Sequence, residues 1–218
     1  MNKLRLRFAK TDRAKYMSHL YLMRTFQRAF SRADIAIKYS EGFNPHPKIS
    51  IVAPLSLGVE SRCELLDFEA EGDFGPSEIE RLNAALPGGI RAVSCAPPVN
   101  KPGELAWIGH IISFFYDNGV HEGSAEKIEK LFSGPVTVLK KTKRGESETD
   151  ISPLVMDMTA RQAGEDRIEI CARLSFGESV LGPAYITAAV EKYLPGCAPD
   201  FAAYMRTETY LKNNLLFR

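Results

Sequence analysis

The chain has 218 residues, 44% of them hydrophobic and 25% charged, with a formal net charge of +1. That is the composition of a globular protein with room for one large domain or two small ones. No apolar run approaches the roughly 18 to 20 residues of a bilayer-spanning helix, and the basic start MNKLRLRFAK lacks the apolar stretch of a signal peptide. Cys63, Cys95, Cys171 and Cys197 lie far apart without a CxxC, which argues against a zinc or iron–sulfur site and predicts reduced thiols in the cytoplasm.

The near-neutral total hides an asymmetry. Residues 1–50 carry eleven Lys and Arg against three acids, a net of +8, so the rest of the chain carries −7. A basic segment on a near-neutral protein predicts one face built for a polyanion.

Taken in chain order, KLRLRFAK alternates Leu4, Leu6 and Phe8 with Lys3, Arg5 and Arg7, the pattern of a half-buried strand. Ser18 is a candidate helix cap, and Leu20, Met23, Phe26 or Gln27, Phe30 and Ala33 follow at helical steps as a core stripe. IAIKYS and KISIVAPL read as two strands flanking a loop, and CELLDFEAEG as another. PSEIERLNAALPGG is a helix with Pro76 at or near its first position, and IRAVSCAPP closes the segment with a strand.

The second half repeats this grammar. LAWIGHIISFFYD is a strand, and SAEKIEKLFSG is a helix capped by Ser124. PVTVLKKTKRGESETDIS and LVMDMTARQAGEDRIEICARLS are hairpins, GPAYITAAVEKYLPG is a helix and FAAYMRTETYLK a final strand. The expectation is an α+β protein of two tandem ferredoxin-like β-α-β-β-α-β units, 1–100 and 101–218. Each would have an antiparallel sheet with helices on one face.

Several groups are candidates for binding. Arg24, Arg28 and Arg32 recur at i, i+4 and i+8, a row on one helix face, where guanidinium forks match phosphate oxygens. Lys38 and Lys48 border the loop YSEGFNPHPKIS. There Pro45 and Pro47 stiffen the backbone around Phe43, Asn44 and His46, offering an aromatic to an unstacked base and polar groups to base edges or phosphate. Lys140, Lys141, Lys143 and Arg144 form a basic hairpin tip followed at once by ESETD. No GxSxG, P-loop, GxGxxG or HExxH is present. His19 and His46 are the weak catalytic candidates, as a metal-free acid–base pair for RNA cleavage. No metal site is expected.

The run MSHLYLMRTFQRAFSRADIAIKYSEGFNPHPKISIVAPLSLGVES, with KKTKRGESETDISPLV, resembles the bacterial radical SAM-linked proteins. Their module also occurs at the C-terminus of cobalamin-binding radical SAM proteins. The resemblance implies a separate radical SAM enzyme as partner, which would hold the cluster, while this chain has no cofactor of its own and supplies substrate recognition. Two positions depart from the family pattern: Tyr21, where an acid is expected after HL, and Ser152, where an Arg is expected. The tandem architecture is also similar to that of CRISPR RNA-processing endonucleases, although TYLKNNLLFR contains no glycine where those nucleases carry a glycine-rich loop. The leading expectation is a non-catalytic accessory module that binds tRNA or rRNA away from any membrane. A metal-independent endoribonuclease and a protein–protein adaptor are the alternatives.

Overall fold

Buried alternation accounts for the first strand, but on both faces. In the computed structural model, which describes residues 2–72, 74–142 and 145–218, Leu4, Leu6 and Phe8 are buried as the pattern requires. Arg5 and Lys10, on opposite faces of the same strand, are buried as well, where the sequence pattern reads Arg5 as solvated. Arg5 grips Asp67 through Nε (2.6 Å) and Nη2 (2.7 Å) and donates from Nη1 to the Asn100 carbonyl (3.0 Å). Its guanidinium lies 4.7 Å from the centre of the Phe217 ring. Lys10 donates to the Met17 carbonyl at 2.9 Å. A charge survives burial only with such partners.

The fold is mixed α/β, mainly sheet, with four α-helices among the described residues. Two compact units are present: the first runs to Pro102 and takes in Phe217–Arg218, the second spans Gly103–Leu216. None of the helices is long and apolar enough to cross a membrane.

The first unit contains β1 (Asn2–Lys10), α1 (His19–Arg32), β2 (Ile49–Ile51), β3 (Glu60–Ala70), α2 (Pro76–Ala85) and β4 (Ile90–Ala96). β1 lies between β4 and β3, both antiparallel to it, and β2 adds to β3. One apolar cluster joins Leu6 and Phe8 of β1, Leu66 and Phe68 of β3, Phe26 and Phe30 of α1 and Leu82 of α2, so both helices cover the same face of the strands. Phe8, Phe26, Phe30 and Phe68 stack in succession with ring centres 4.8 to 6.2 Å apart.

α1 begins at its expected cap: Ser18 Oγ accepts from the Tyr21 amide at 3.4 Å. Its buried stripe is Leu22, Thr25, Phe26, Ala29 and Phe30. Leu20, read as core, is 57% exposed. The stripe is displaced because polar Thr25 belongs to it, its hydroxyl satisfied by the Tyr21 carbonyl at 2.8 Å.

The expected strand over IAIKYS is reduced to single bridges, Ile37 to Ala70 and Tyr39 to Pro47. Pro45 and Pro47 have no amide hydrogen to extend a ladder. α2 starts at Pro76 as predicted, with Glu78 Oε2 accepting from the Gly75 amide at 2.8 Å. Beyond this helix Gly89 has a φ of +83°, and a Cβ there would meet the Thr11 carbonyl oxygen at 2.6 Å, so only glycine fits.

The second unit contains β5 (Leu105–Phe115), α3 (Ser124–Leu131), β6 (Thr137–Thr142), β7 (Gly145–Asp150), β8 (Val155–Gln162), β9 (Arg167–Ser175), α4 (Ala184–Tyr193) and β10 (Phe201–Leu211). Its main strands run in the order β10-β5-β9-β8, and β6-β7 form a separate hairpin. Ser124 is the first helical residue of α3, while the cap position is taken by Gly123 with φ +71°. Ile112, Phe114, Ile168, Ile170, Ile128, Ile186 and Val190 are buried in one core.

Candidate nucleic-acid interface

Placing Leu22, Phe26 and Phe30 against the sheet turns Arg24, Gln27, Arg28 and Ser31 outward, because residues three and four apart share a helix face. With Tyr39 they line an open cleft of about 350 Å³. Among the described residues the guanidinium groups of Arg24 and Arg28 have no hydrogen-bond or ion-pair partner. Arg32, the third of the row, is used differently. It donates to the Ala85 carbonyl at 2.9 Å, at the C-terminus of α2, where a cation answers the helix dipole.

Tyr39 also stands at the base of the proline loop. The loop is closed by two hydrogen bonds, from the Ser40 amide to the His46 carbonyl (2.7 Å) and from the His46 amide to Ser40 Oγ (2.9 Å). The Lys48 amide continues to the Lys38 carbonyl at 2.8 Å. Gly42 turns the chain with φ +123°. At the tip Phe43 is completely exposed, 112% on the relative scale, and Asn44 and His46 are exposed beside it.

The remaining candidates are placed as follows. Lys38 is tied to Glu69 at 2.9 Å. That hydrogen bond, with the charge of Glu69, raises the Lys38 pKa, and the same hydrogen bond holds the Glu69 carboxyl below its ordinary value. Lys48 is exposed, and its charge also acts on Glu69. His19 is exposed at the first turn of α1; no contact brings it to His46. Lys140 and Lys141 stand on β6 of the second unit, where Lys141 lies 3.4 Å from Glu146 across the hairpin. Lys143 and Arg144 fall outside the described residues. Tyr21 is 60% exposed on α1. Ser152 donates to Asp150 Oδ1 from its hydroxyl (2.7 Å) and its amide (3.0 Å). Those bonds, with one from the Val136 amide, lower the Asp150 pKa.

Tyr39, Gln27 and Ser31 escaped the sequence reading. The two helical residues were visible in principle, since they complete an i, i+3, i+4, i+7 face with the arginines. Nothing local reports that Tyr39 comes back to that face.

Residues 3–181 match the family described as "Uncharacterized protein conserved in bacteria (DUF2344)". The chain belongs to this family. No curated protein matches it. Among solved structures it is similar to an unknown protein from Galdieria sulphuraria, at 13% identity over 94% of this chain and 98% of that one with a TM-score of 0.24. It is also similar to the acetolactate synthase small subunit from Thermotoga maritima, at 14% identity over 99% and 100% with a TM-score of 0.25. Both likenesses are too distant to bear on the function of this family member.

Proposed function

We propose that this chain is an RNA-binding accessory module, itself non-catalytic, which presents tRNA or rRNA to a separate radical SAM modification enzyme. One observation carries the RNA half of the reading: the fully exposed Phe43 on a pinned loop whose base, Tyr39, shares a cleft with the unpartnered Arg24 and Arg28. An aromatic platform on a loop that starts at an arginine-lined cleft fits single-strand recognition, in which bases stack while phosphates are neutralised. The radical SAM half rests on the sequence resemblance alone. The matching strand orders, β4-β1-β3 with β2 on β3 and β10-β5-β9-β8, support reading each unit as a ferredoxin-like copy, with β6-β7 as an added hairpin.

The test is the salt dependence of RNA affinity in the full chain. Each phosphate contact on a single strand contributes about −0.7 to the log–log slope, so Arg24→Ala/Arg28→Ala, which releases the one phosphate that the pair holds, should flatten it by about 0.7. Arg32→Ala, which removes a helix-capping contact, should leave the slope nearly unchanged. An unaltered slope in the Arg24/Arg28 variant would remove the cleft as the phosphate contact. RNA cleavage in EDTA that is abolished by His19→Ala or His46→Ala would replace the binding module with a nuclease. A radical SAM protein recovered with the tagged chain from its native host would support the partnership.

A further inference from the structure

The cleft is specific enough to name its occupant. Its volume of about 350 Å³ lies at the low end of the roughly 300 to 1,000 Å³ that small-molecule sites span, enough for one nucleotide unit and not for a run of stacked ones. One wall offers two guanidinium groups a single helical turn apart, a fork for one phosphate. Tyr39, also in the lining, is 43% exposed and has an aromatic ring to offer. In the same lining the Gln27 amide offers donors and an acceptor, and the Ser31 hydroxyl both, for a base edge or a ribose 2′-OH.

We infer that this cleft takes one unstacked nucleotide of an RNA single strand, its phosphate held by Arg24 and Arg28 and its base laid on the Tyr39 ring. The inference rests on the RNA reading above and adds the substrate form. A base inside a duplex is covered on both faces and has none to give to Tyr39. A strand is favoured over a free nucleotide because the loop that starts at Tyr39 carries Phe43 beyond the cleft, a second platform for a neighbouring base.

The experiment measures binding of one fluorescent RNA oligonucleotide, as a single strand and annealed to its complement, to the full chain and to Tyr39→Ala and Tyr39→Phe, with AMP as competitor. The bridge from Tyr39 to Pro47 is made by backbone, so both variants keep the loop closed, which an unchanged melting temperature verifies. Tyr39→Ala should weaken the single strand by about 5- to 150-fold, the loss of one stacked base. It should leave the duplex unaffected, and Tyr39→Phe should bind as the parent does. AMP should compete only at concentrations far above those of the strand. Single-strand affinity unchanged in Tyr39→Ala but lost in Arg24→Ala/Arg28→Ala would overturn the nucleotide pocket and leave the RNA reading standing. AMP binding more tightly than the strand would overturn the strand as the occupant. No binding of either RNA at low salt would overturn both readings together.

Discussion

Replacing Phe43 by alanine separates two roles that an aromatic residue on a loop can have. A core phenylalanine truncated to alanine costs about 3 to 5 kcal/mol of stability, through lost transfer energy and the cavity left behind. Phe43 is fully exposed, so its removal opens no cavity, and folding loses no apolar burial. The melting temperature of Phe43→Ala should therefore stay within about 1 to 2 degrees of the parent, as surface changes within roughly 0.5 kcal/mol do. On RNA the ring would be covered by a base, a contact of about 1 to 3 kcal/mol and hence roughly a 5- to 150-fold change in affinity. Equilibrium titration of a labelled single strand, beside a thermal melt, reads both quantities on the same sample. Unchanged RNA affinity would refute the loop as a stacking platform, and a large fall in melting temperature would refute its exposure.

Two further predictions concern stability. Burial, helped by the charge of Arg206 and opposed by the Ile108 carbonyl, pushes the His110 pKa from 6.5 down to about 4. Between those values the unfolded chain takes up the proton first, so stability falls as pH drops through the window, by about 3 kcal/mol at pH 4. His110→Gln, followed by urea unfolding against pH, should lose that part of the dependence, and an identical profile in the variant would refute it. Asp67→Asn should cost about 3 kcal/mol in urea unfolding at neutral pH, the low end for breaking a buried ion pair, because Asp67 keeps 26% exposure while Arg5 keeps 4%. The double change Arg5→Met/Asp67→Leu should recover most of this loss, and a double variant as unstable as the single one would refute the ion-pair account.

What could be read from the sequence was local. The alternation of β1, the Ser18 cap, Pro76 at the start of α2 and the hairpin of β8 and β9 follow from neighbours close in the chain, and the structure has them. The outward face of α1 was legible for the same reason. What escaped depends on partners distant in the chain. Arg5 is buried because Asp67, Asn100 and Phe217 come to it, and Arg32 leaves its row because α2 ends beside it. Leu20 was assigned to the core because a stripe containing threonine does not look apolar. The strand over IAIKYS was lost to a rule visible in the sequence, since prolines have no hydrogen to donate.

The same non-local contacts change what the basic segment means. A count over residues 1–50 gives +8 and points at the whole segment as a polyanion surface. In the fold, Arg5 and Lys10 are internal, Lys15 lies 3.2 Å from Glu60, Lys38 lies 2.9 Å from Glu69, and Arg32 caps a helix. These five charges are engaged in holding the first unit together. Arg24 and Arg28 are not, and they meet at the cleft that Tyr39 completes. The loop beyond it is closed by the Ser40–His46 hydrogen bonds and stiffened by two prolines, yet it holds a phenylalanine with no contact to protect it from water. Fixing a loop gives up conformational entropy, and exposing the ring forgoes its burial energy, so folding alone gains little from the arrangement. A ligand that brings a base to the ring and a phosphate to the arginines would recover both, because the groups are already held in place when it arrives.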